Sequence, residues 1–465
     1  MAPRFGTSGL RGLVRELTPG LVADHVRAFL AVCDTGPGVE VGWDLRPSSP
    51  AIADTVLQTL ARAGVPATTL GPVPTPALAL SATGRGRGAI MVTGSHIPAD
   101  RNGLKFYTPA GEITKAHEAA ILDRLGAPVP APVPVPVPAV PDDRAGARWR
   151  DRIVAAFGPR ALSGLRIGVH EQSSVARDLL AQALEAMGAR TIRLGRSDSF
   201  VAVDTEAVDA GMRARHALWC RAHGLDALVS TDGDADRPLV VDGAGRPVPG
   251  DVLGPLTARM LGATILVTPV SSNSLAEALV APSGGRVIRT RIGSPFVIAG
   301  MEAARAADPG ARVLGYEANG GVLLGFEARG PAGPLGALMT RDSLLPIAAP
   351  LAAARAAGTG LSALVAALPP RFTATDRLQG IDPEAARACL DRLTRDAGAR
   401  RALFGAAETG LDLTDGLRLS FGPRTVHLRP SGNAPEFRVL AEADSPEEAR
   451  ALVARTMERV AALLA

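Results

Sequence analysis

The stretch Thr93-Gly94-Ser95-His96, followed closely by Asn102-Gly103-Leu104-Lys105, gathers a hydroxyl, an imidazole and an ammonium, and it reads as one short polar loop. Ahead of it, Gly88-Ala89-Ile90-Met91-Val92-Thr93 is apolar, brief and bounded by glycine, the pattern of a buried strand. A serine at the carboxyl end of such a strand stands where open α/β sheets bind ligands, which makes Ser95 the candidate nucleophile. Of fifty basic residues only Lys105 and Lys115 are lysine. Arginine keeps its proton inside a protein, whereas lysine can release one. An amine retained beside the serine therefore points to proton transfer, with Lys105 as the first candidate and His96 as the second.

A second loop, Asp232-Gly233-Asp234-Ala235-Asp236-Arg237, follows the strand-like Leu225–Ser230. Three carboxylates at alternate positions repel one another unless a hard cation gathers them, and oxygen ligands suit Mg²⁺ or Ca²⁺. An EF-hand is excluded, because its glycine and glutamate positions hold Arg237 and Gly243. The competing reading is a solvated acidic turn. Gly315-Tyr316-Glu317-Ala318-Asn319-Gly320-Gly321 offers Glu317 and Asn319 on a glycine-flanked loop, suited to vicinal sugar hydroxyls but equally an ordinary turn. Arg429-Pro430-Ser431-Gly432-Asn433, with Arg438 nearby, combines a guanidinium, a hydroxyl and a free amide, a cradle matched to phosphate. The glycine-rich Phe5–Gly12 segment reads as a flexible terminus from which Arg11 reaches an anion.

The elements that must position these loops alternate. Helical periodicity marks Ala51–Leu60, Ala147–Phe157, Ser174–Met187, Glu206–Arg221 and Leu275–Val280. Strand patterns mark Leu165–Val169, Thr264–Val270 and Arg312–Tyr316, and alternation of this kind indicates parallel or mixed α/β sheets. Near the end, Leu417–Phe421, Thr425–Leu428 and Phe437–Ala443 read as antiparallel strands closed by a helix over Pro446–Leu464. Alternating prolines from Ala127 to Pro141 read as an extended spacer. The boundaries expected are 1–126, a linker at 127–141, then 142–249, 250–368 and 369–465, with a hinge near Pro369-Pro370. Three α/β segments of similar size suggest an old duplication.

In order, FGTSGLRG, TGSHIPADRNGLK, DGDADR, GYEANGG and RPSGN resemble the α-D-phosphohexomutases, specifically the bacterial phosphomannomutase/phosphoglucomutase-like enzymes, from residue 5 to about residue 440. The resemblance implies three α/β domains with mixed sheets plus a smaller α+β C-terminal domain around a central cleft. It implies Mg²⁺, an active-site phosphoserine and a hexose 1,6-bisphosphate intermediate. On matching positions, Ser95 would carry the phosphoryl group and join Asp232, Asp234 and Asp236 around the metal. Glu317 and Asn319 would read the sugar, and Arg429, Ser431, Gly432 and Asn433 would hold the non-reacting phosphate. Arg11, Lys105 and Arg237 would balance the excess negative charge. The sugar loop looks most like the phosphomannomutase branch, with glucose and then glucosamine phosphates as alternatives. Relatives often carry histidine where this chain has Gly321 and Ser294, and threonine where it has Asn433, which leaves the acid/base assignment open. The rival enzyme class is a metal-dependent sugar-phosphate phosphatase, and the non-catalytic rival is a phosphosugar-binding module. All of this requires the acidic triplet to reach the Ser95 oxygen.

Composition narrows the partners. A net charge of +4 with 3% aromatic residues, and no basic run interleaved with aromatics, argues against nucleic acid. No apolar run reaches membrane-spanning length and no signal pattern opens the chain, so a membrane partner is not expected. Cys33, Cys220 and Cys389 are odd in number and widely spaced, which suits a reducing, cytoplasmic compartment. The expected partner is a small phosphosugar.

Overall fold

The computed structural model describes residues 3–6, 8–128, 135, 137–430 and 435–464, and three of its sheets share one strand order. In the second sheet the order is Arg190–Arg196, Arg166–Gln172, Ala227–Thr231, Pro238–Asp242 and Pro247–Val248. The first three strands run parallel, and the last two return antiparallel. The third sheet repeats this with Arg286–Thr290, Ile265–Pro269, Val313–Tyr316, Val322–Leu324 and Leu338–Asp342. In the first sheet the equivalents are Ala67–Pro72, Val39–Trp43, Gly88–Val92 and Arg101–Thr108, and the fifth place is taken by the N-terminal strand Leu10–Leu13. The repeated topology supports the duplication that segment size suggested.

The parallel strands are buried on both faces, which explains their near-continuous apolar runs such as Ile265-Leu266-Val267. Each sheet then emits a loop at the carboxyl end of its third strand, before the chain reverses. Those loops carry Ser95, Asp232–Asp236 and Glu317 respectively. Triplication therefore delivers three equivalent loops to equivalent places.

Several expectations need correction. Asn102–Lys105 is not loop but part of the strand Arg101–Thr108, antiparallel to Gly88–Val92. Its polar residues hid it, yet each is accommodated: Asn102 donates to the hydroxyls of Ser48 and Ser49 at 2.8 and 2.9 Å. At Gly103 any Cβ would lie 2.0 Å from the Leu10 carbonyl. Arg11 likewise sits on a strand, opposite Gly103, rather than on a flexible terminus. The helix expected from Glu206 begins at Ala210, because Asp209 accepts the Met212 N–H at 2.9 Å and caps it there. Of the proline spacer, residues 129–134 and 136 lie outside the described residues. Its end, Val140–Pro141, adds an edge strand beside Thr68 and Thr69, where proline's missing donor is tolerated.

The fourth sheet is wholly antiparallel, ordered Phe372–Gln379, Glu436–Ala443, Arg424–Pro430, Leu417–Phe421 and Gly410–Asp412. The helices Pro383–Arg395 and Pro446–Leu464 pack on it over Leu417, Leu428, Phe437 and Val439. Among the described residues, no helix is long and apolar enough to cross a membrane. All three cysteines are buried and unpaired.

Trp149, on the helix Ala145–Phe157, is fully buried, and its indole donates to Asp342 Oδ1 at 3.2 Å. Arg152 pairs with the other oxygen of Asp342 at 3.1 Å, tying this helix to the last strand of the third sheet. Trp149→Ala should cost about 3–5 kcal/mol through the cavity it leaves, lowering the urea midpoint. An unchanged midpoint would show that this junction contributes little.

Candidate active site

Ser95 follows the strand Gly88–Val92 in a left-handed backbone conformation, φ 54°, which costs a non-glycine residue about 1–3 kcal/mol. Buried polar contacts enforce it. Thr93 Oγ1 accepts the Ser95 N–H at 2.7 Å and donates to Asp44 Oδ2 at 2.7 Å. Arg46, paired to Asp44 at 3.1 Å, donates to the carbonyls of Ser95 at 2.8 Å, Ile97 at 2.6 Å, Pro98 at 2.7 Å and Arg101 at 3.0 Å. The Phe200 ring packs against the guanidinium at 4.0 Å. Sequence reasoning passed over Asp44 and Arg46, although a charged pair just beyond the strand Val39–Trp43 was the available signal.

The acidic loop leaves Ala227–Thr231 and turns at Ala235, also left-handed at φ 59°. That turn brings carboxylate oxygens of Asp232, Asp234 and Asp236 within 4.8 Å of one another. Ser95 Oγ donates to Asp232 Oδ2 at 2.7 Å, so the serine hydroxyl and the triplet meet directly. Lys105 Nζ donates to Asp234 Oδ2 and Asp236 Oδ2, both at 2.6 Å, and Thr75 Oγ1 reaches Asp234 Oδ2 at 2.6 Å. Asp234 Oδ1 and Asp236 Oδ1 are buried without a hydrogen-bond partner. Orphaned anionic oxygens beside a hydroxyl are a donor set that fits a hard divalent cation.

The electrostatics divide the triplet. Burial, and repulsion from Asp234 and Asp236, push the Asp232 carboxyl well above its ordinary range. Burial also opposes charge on Asp236, but Arg341, Lys105 and Arg237 overcome it and hold that carboxyl low. Burial disfavours the Lys105 ammonium, and Asp234 and Asp236 more than offset this, so the amine stays charged. His96 is pushed down to about 3, by burial first and then by Arg237 and Arg11. At neutral pH it is an uncharged imidazole, and its Nδ1 is buried without a partner.

Arg237 Nε lies 3.9 Å from Asp232 Oδ2 and 3.7 Å from Asp236 Oδ1. Burial, with Arg237 and Arg341 nearby, lowers the Arg11 guanidinium to about 10. Arg341 was missed from sequence. Its guanidinium bonds Asp236 Oδ2 at 2.7 Å and Glu317 Oε2 at 2.9 Å, drawing the expected sugar loop to the acidic loop. Asn319 spends its side-chain oxygen on the Gly321 N–H at 3.0 Å and its carbonyl on Thr205 Oγ1 at 3.0 Å. Among the described residues its side-chain amide donates no hydrogen bond. Ser294 donates to Glu112 Oε2 at 3.1 Å, and Ser8 donates to the same carboxylate.

Ser95, Lys105, Arg237, the three aspartates and Glu317 are thus joined through hydrogen bonds and ion pairs, with His96 next to Ser95 along the chain. Arg429 and Arg438 stand opposite each other on the fourth sheet instead. They pair with Asp415 at 3.1 Å and Glu436 at 3.4 Å, and among the described residues no hydrogen bond or ion pair links them to that cluster. Asp415 also accepts the Ile292 N–H at 3.0 Å, which docks this sheet against the third. Ser431, Gly432 and Asn433 lie outside the described residues.

Four family models match the chain: phosphoglucomutase/phosphomannomutase alpha/beta/alpha domain I over residues 2–128, domain II over 148–245, domain III over 249–372, and the C-terminal domain over 393–459. A phosphomannomutase from Sinorhizobium fredii is 44% identical over 468 residues, covering 98% of each chain. One from Salmonella muenchen is 39% identical over 466 residues, covering 98% of this chain and 95% of its own. A phosphoglucomutase/phosphomannomutase family protein from Burkholderia thailandensis has the same fold, with a TM-score of 0.78 at 22% identity, covering 98% of this chain and 96% of its own.

Because Arg46 fixes the backbone that aims Ser95, Arg46→Ala should lower turnover about 10²-fold while leaving apparent substrate affinity within about tenfold. Steady-state kinetics with the expected phosphosugar measures this. Undiminished turnover would mean that the strained serine turn holds without its clasp.

Proposed function

The chain belongs to the phosphoglucomutase/phosphomannomutase family, and from that premise we propose that it is a phosphomannomutase, an intramolecular phosphotransferase interconverting mannose 6-phosphate and mannose 1-phosphate. The observation that carries the reading is the 2.7 Å contact of Ser95 Oγ with Asp232, inside a triplet that keeps two unpartnered carboxylate oxygens. A solvated acidic turn has no use for a buried serine at that distance.

Phosphoryl transfer asks for positioning and charge neutralisation more than for covalent chemistry. Mg²⁺, held by Asp232, Asp234, Asp236 and the Ser95 oxygen, would supply positive charge against the transferring phosphoryl group. The chain's own residues do the rest. Phospho-Ser95 gives its phosphoryl to one hydroxyl of the hexose monophosphate. The resulting hexose 1,6-bisphosphate reorients in the cleft and returns its other phosphoryl to Ser95. Arg11, Lys105 and Arg237 balance the oxygens in flight. Glu317 and the Asn319 amide read the sugar hydroxyls.

The far phosphate is the best anchor for a sugar that must bind both ways round. Arg429, Ser431, Gly432, Asn433 and Arg438 would hold it and contribute remote binding energy. Closure about Pro369-Pro370 would bring that sheet over the cleft and exclude water. For the hydroxyl's proton the assignment is Lys105: its ammonium would give a proton to the departing Ser95 oxygen and regain one from the sugar hydroxyl, with His96 orienting the group. A phosphatase would instead need an activated water, and the second phosphate cradle has no role in hydrolysis. Mannose rather than glucose rests on the two phosphomannomutase relatives and on the sugar loop. A reducing cytoplasm is the compartment that suits three buried thiols.

Ser95→Ala should abolish conversion of mannose 1-phosphate in the presence of catalytic bisphosphate, and its intact mass should lack one phosphoryl group carried by the wild type. Residual turnover at the wild-type rate would overturn the reading, and so would inorganic phosphate as the main product. Chelation should stop turnover and Mg²⁺ should restore it. Lys105→Ala should lower turnover by at least about 10²-fold with less effect on apparent affinity. If His96→Ala does so instead, the proton belongs to the imidazole.

A further inference from the structure

Arg341 makes two contacts that no other described side chain combines. Nε and Nη2 point at Asp236 Oδ2, at 3.1 and 2.7 Å, and Nη1 points at Glu317 Oε2, at 2.9 Å. All three side chains are nearly sealed from solvent, at 5%, 1% and 7% exposure for Arg341, Asp236 and Glu317. One planar guanidinium therefore joins a carboxylate of the second sheet's loop to a carboxylate of the third sheet's loop. A lysine's point charge would not reproduce that fork.

The stem of Arg341 runs through space that only a glycine leaves. A Cβ built at Gly321 would lie 2.7 Å from Arg341 Cδ, 2.8 Å from Cγ and 2.9 Å from Cβ. Those atoms belong to the fixed base of the side chain, so the arginine cannot give way by swinging its tip. The backbone at Gly321 cannot retreat either. Its N–H donates to Asn319 Oδ1 at 3.0 Å, and its carbonyl accepts the Glu317 N–H at 3.2 Å. The next residue, Val322, is paired opposite Asp342.

On the mutase reading above, we infer that Arg341 is a positioning residue that locks the sugar-reading Glu317 to the metal loop through Asp236, and that Gly321 serves to admit it. Sugar recognition and the acidic triplet then form one rigid unit, with the geometry of Glu317 set from the metal side. The guanidinium also competes for Asp236 with any cation the triplet binds.

The test is a double-mutant cycle on the full chain, read in the KM for mannose 1-phosphate and in the Mn²⁺ affinity of substrate-free protein. R341Q should raise KM at least about tenfold. It should also tighten Mn²⁺ binding at least about threefold, since one rival charge has left. G321A, which keeps the charge but obstructs its stem, should raise KM by a similar factor. In the R341Q background G321A should then add less than about a factor of two, because the glutamine stem it displaces carries no guanidinium contact to lose. Multiplying effects, a G321A protein with wild-type KM, or unchanged Mn²⁺ affinity in R341Q would overturn the inference. Should R341Q fail to fold, R341K keeps the charge without the fork and should show the KM loss with no gain in Mn²⁺ affinity. A wild type that does not isomerise would sink the mutase reading instead, and the Mn²⁺ titration would still judge the contact between Arg341 and Asp236.

Discussion

Four carboxylates held away from water must be neutralised, and that requirement organises the centre of this molecule. Asp232, Asp234, Asp236 and Glu317 are all nearly buried. Leaving even one such charge without a partner costs several kcal/mol. The balancing cations come from three different sheets: Arg11 and Lys105 from the first, Arg237 beside the second, Arg341 from the third. The first sheet brings only positive charge and the second an excess of negative, while Arg341 spans Asp236 and its own sheet's Glu317, so the charges balance only when the sheets are docked. Trp149 and Arg152, meeting on Asp342 next to Arg341, show the packing that keeps them so.

Topology explains why the charges meet. Each of the three related sheets ends its third strand in a loop before turning antiparallel, and one chemical group is placed on each loop: the Ser95 hydroxyl, the carboxylate triplet, and the Glu317 carboxylate that meets Arg341. The fold repeats while the loops diverge. Strain is confined to the places where a loop must aim a side chain, with Ser95 and Ala235 in left-handed conformations. Around Ser95 the cost is met by a buried arginine serving four carbonyls. A hydroxyl fixed in this way would need no rearrangement before reacting on the proposed function, which is the condition for electrostatic catalysis.

Much of this was legible in the residues, for identifiable reasons. Strands buried on both faces announce themselves by composition, so Gly88–Val92 and Val313–Tyr316 were located closely. The amphipathic helix Pro446–Leu464 matched its expected bounds. Polar strands were not legible. Arg101–Thr108 hides Asn102 and Lys105 within a sheet because their partners lie far away in sequence, and the solvent-facing Phe372–Gln379 shows no alternation to detect. The same limit applies to the site. Ser95 and the aspartate triplet stand in compact motifs, whereas Arg341 and Arg46 gain their meaning only from contacts across the fold. Gly321 looked like a departure from a pattern, and only the path of the Arg341 stem gives it a physical reason.

On the proposed function, phosphorus and a divalent cation share the pocket between Ser95 and Asp232. Electron–nuclear double resonance on Mn²⁺-loaded, phosphorylated protein measures that directly through the coupling of the manganese electron spin to ³¹P. Strong ³¹P coupling in the wild type, absent from Ser95→Ala, is the expected result. A Mn²⁺ signal without phosphorus coupling, or coupling that survives loss of the serine, would contradict it.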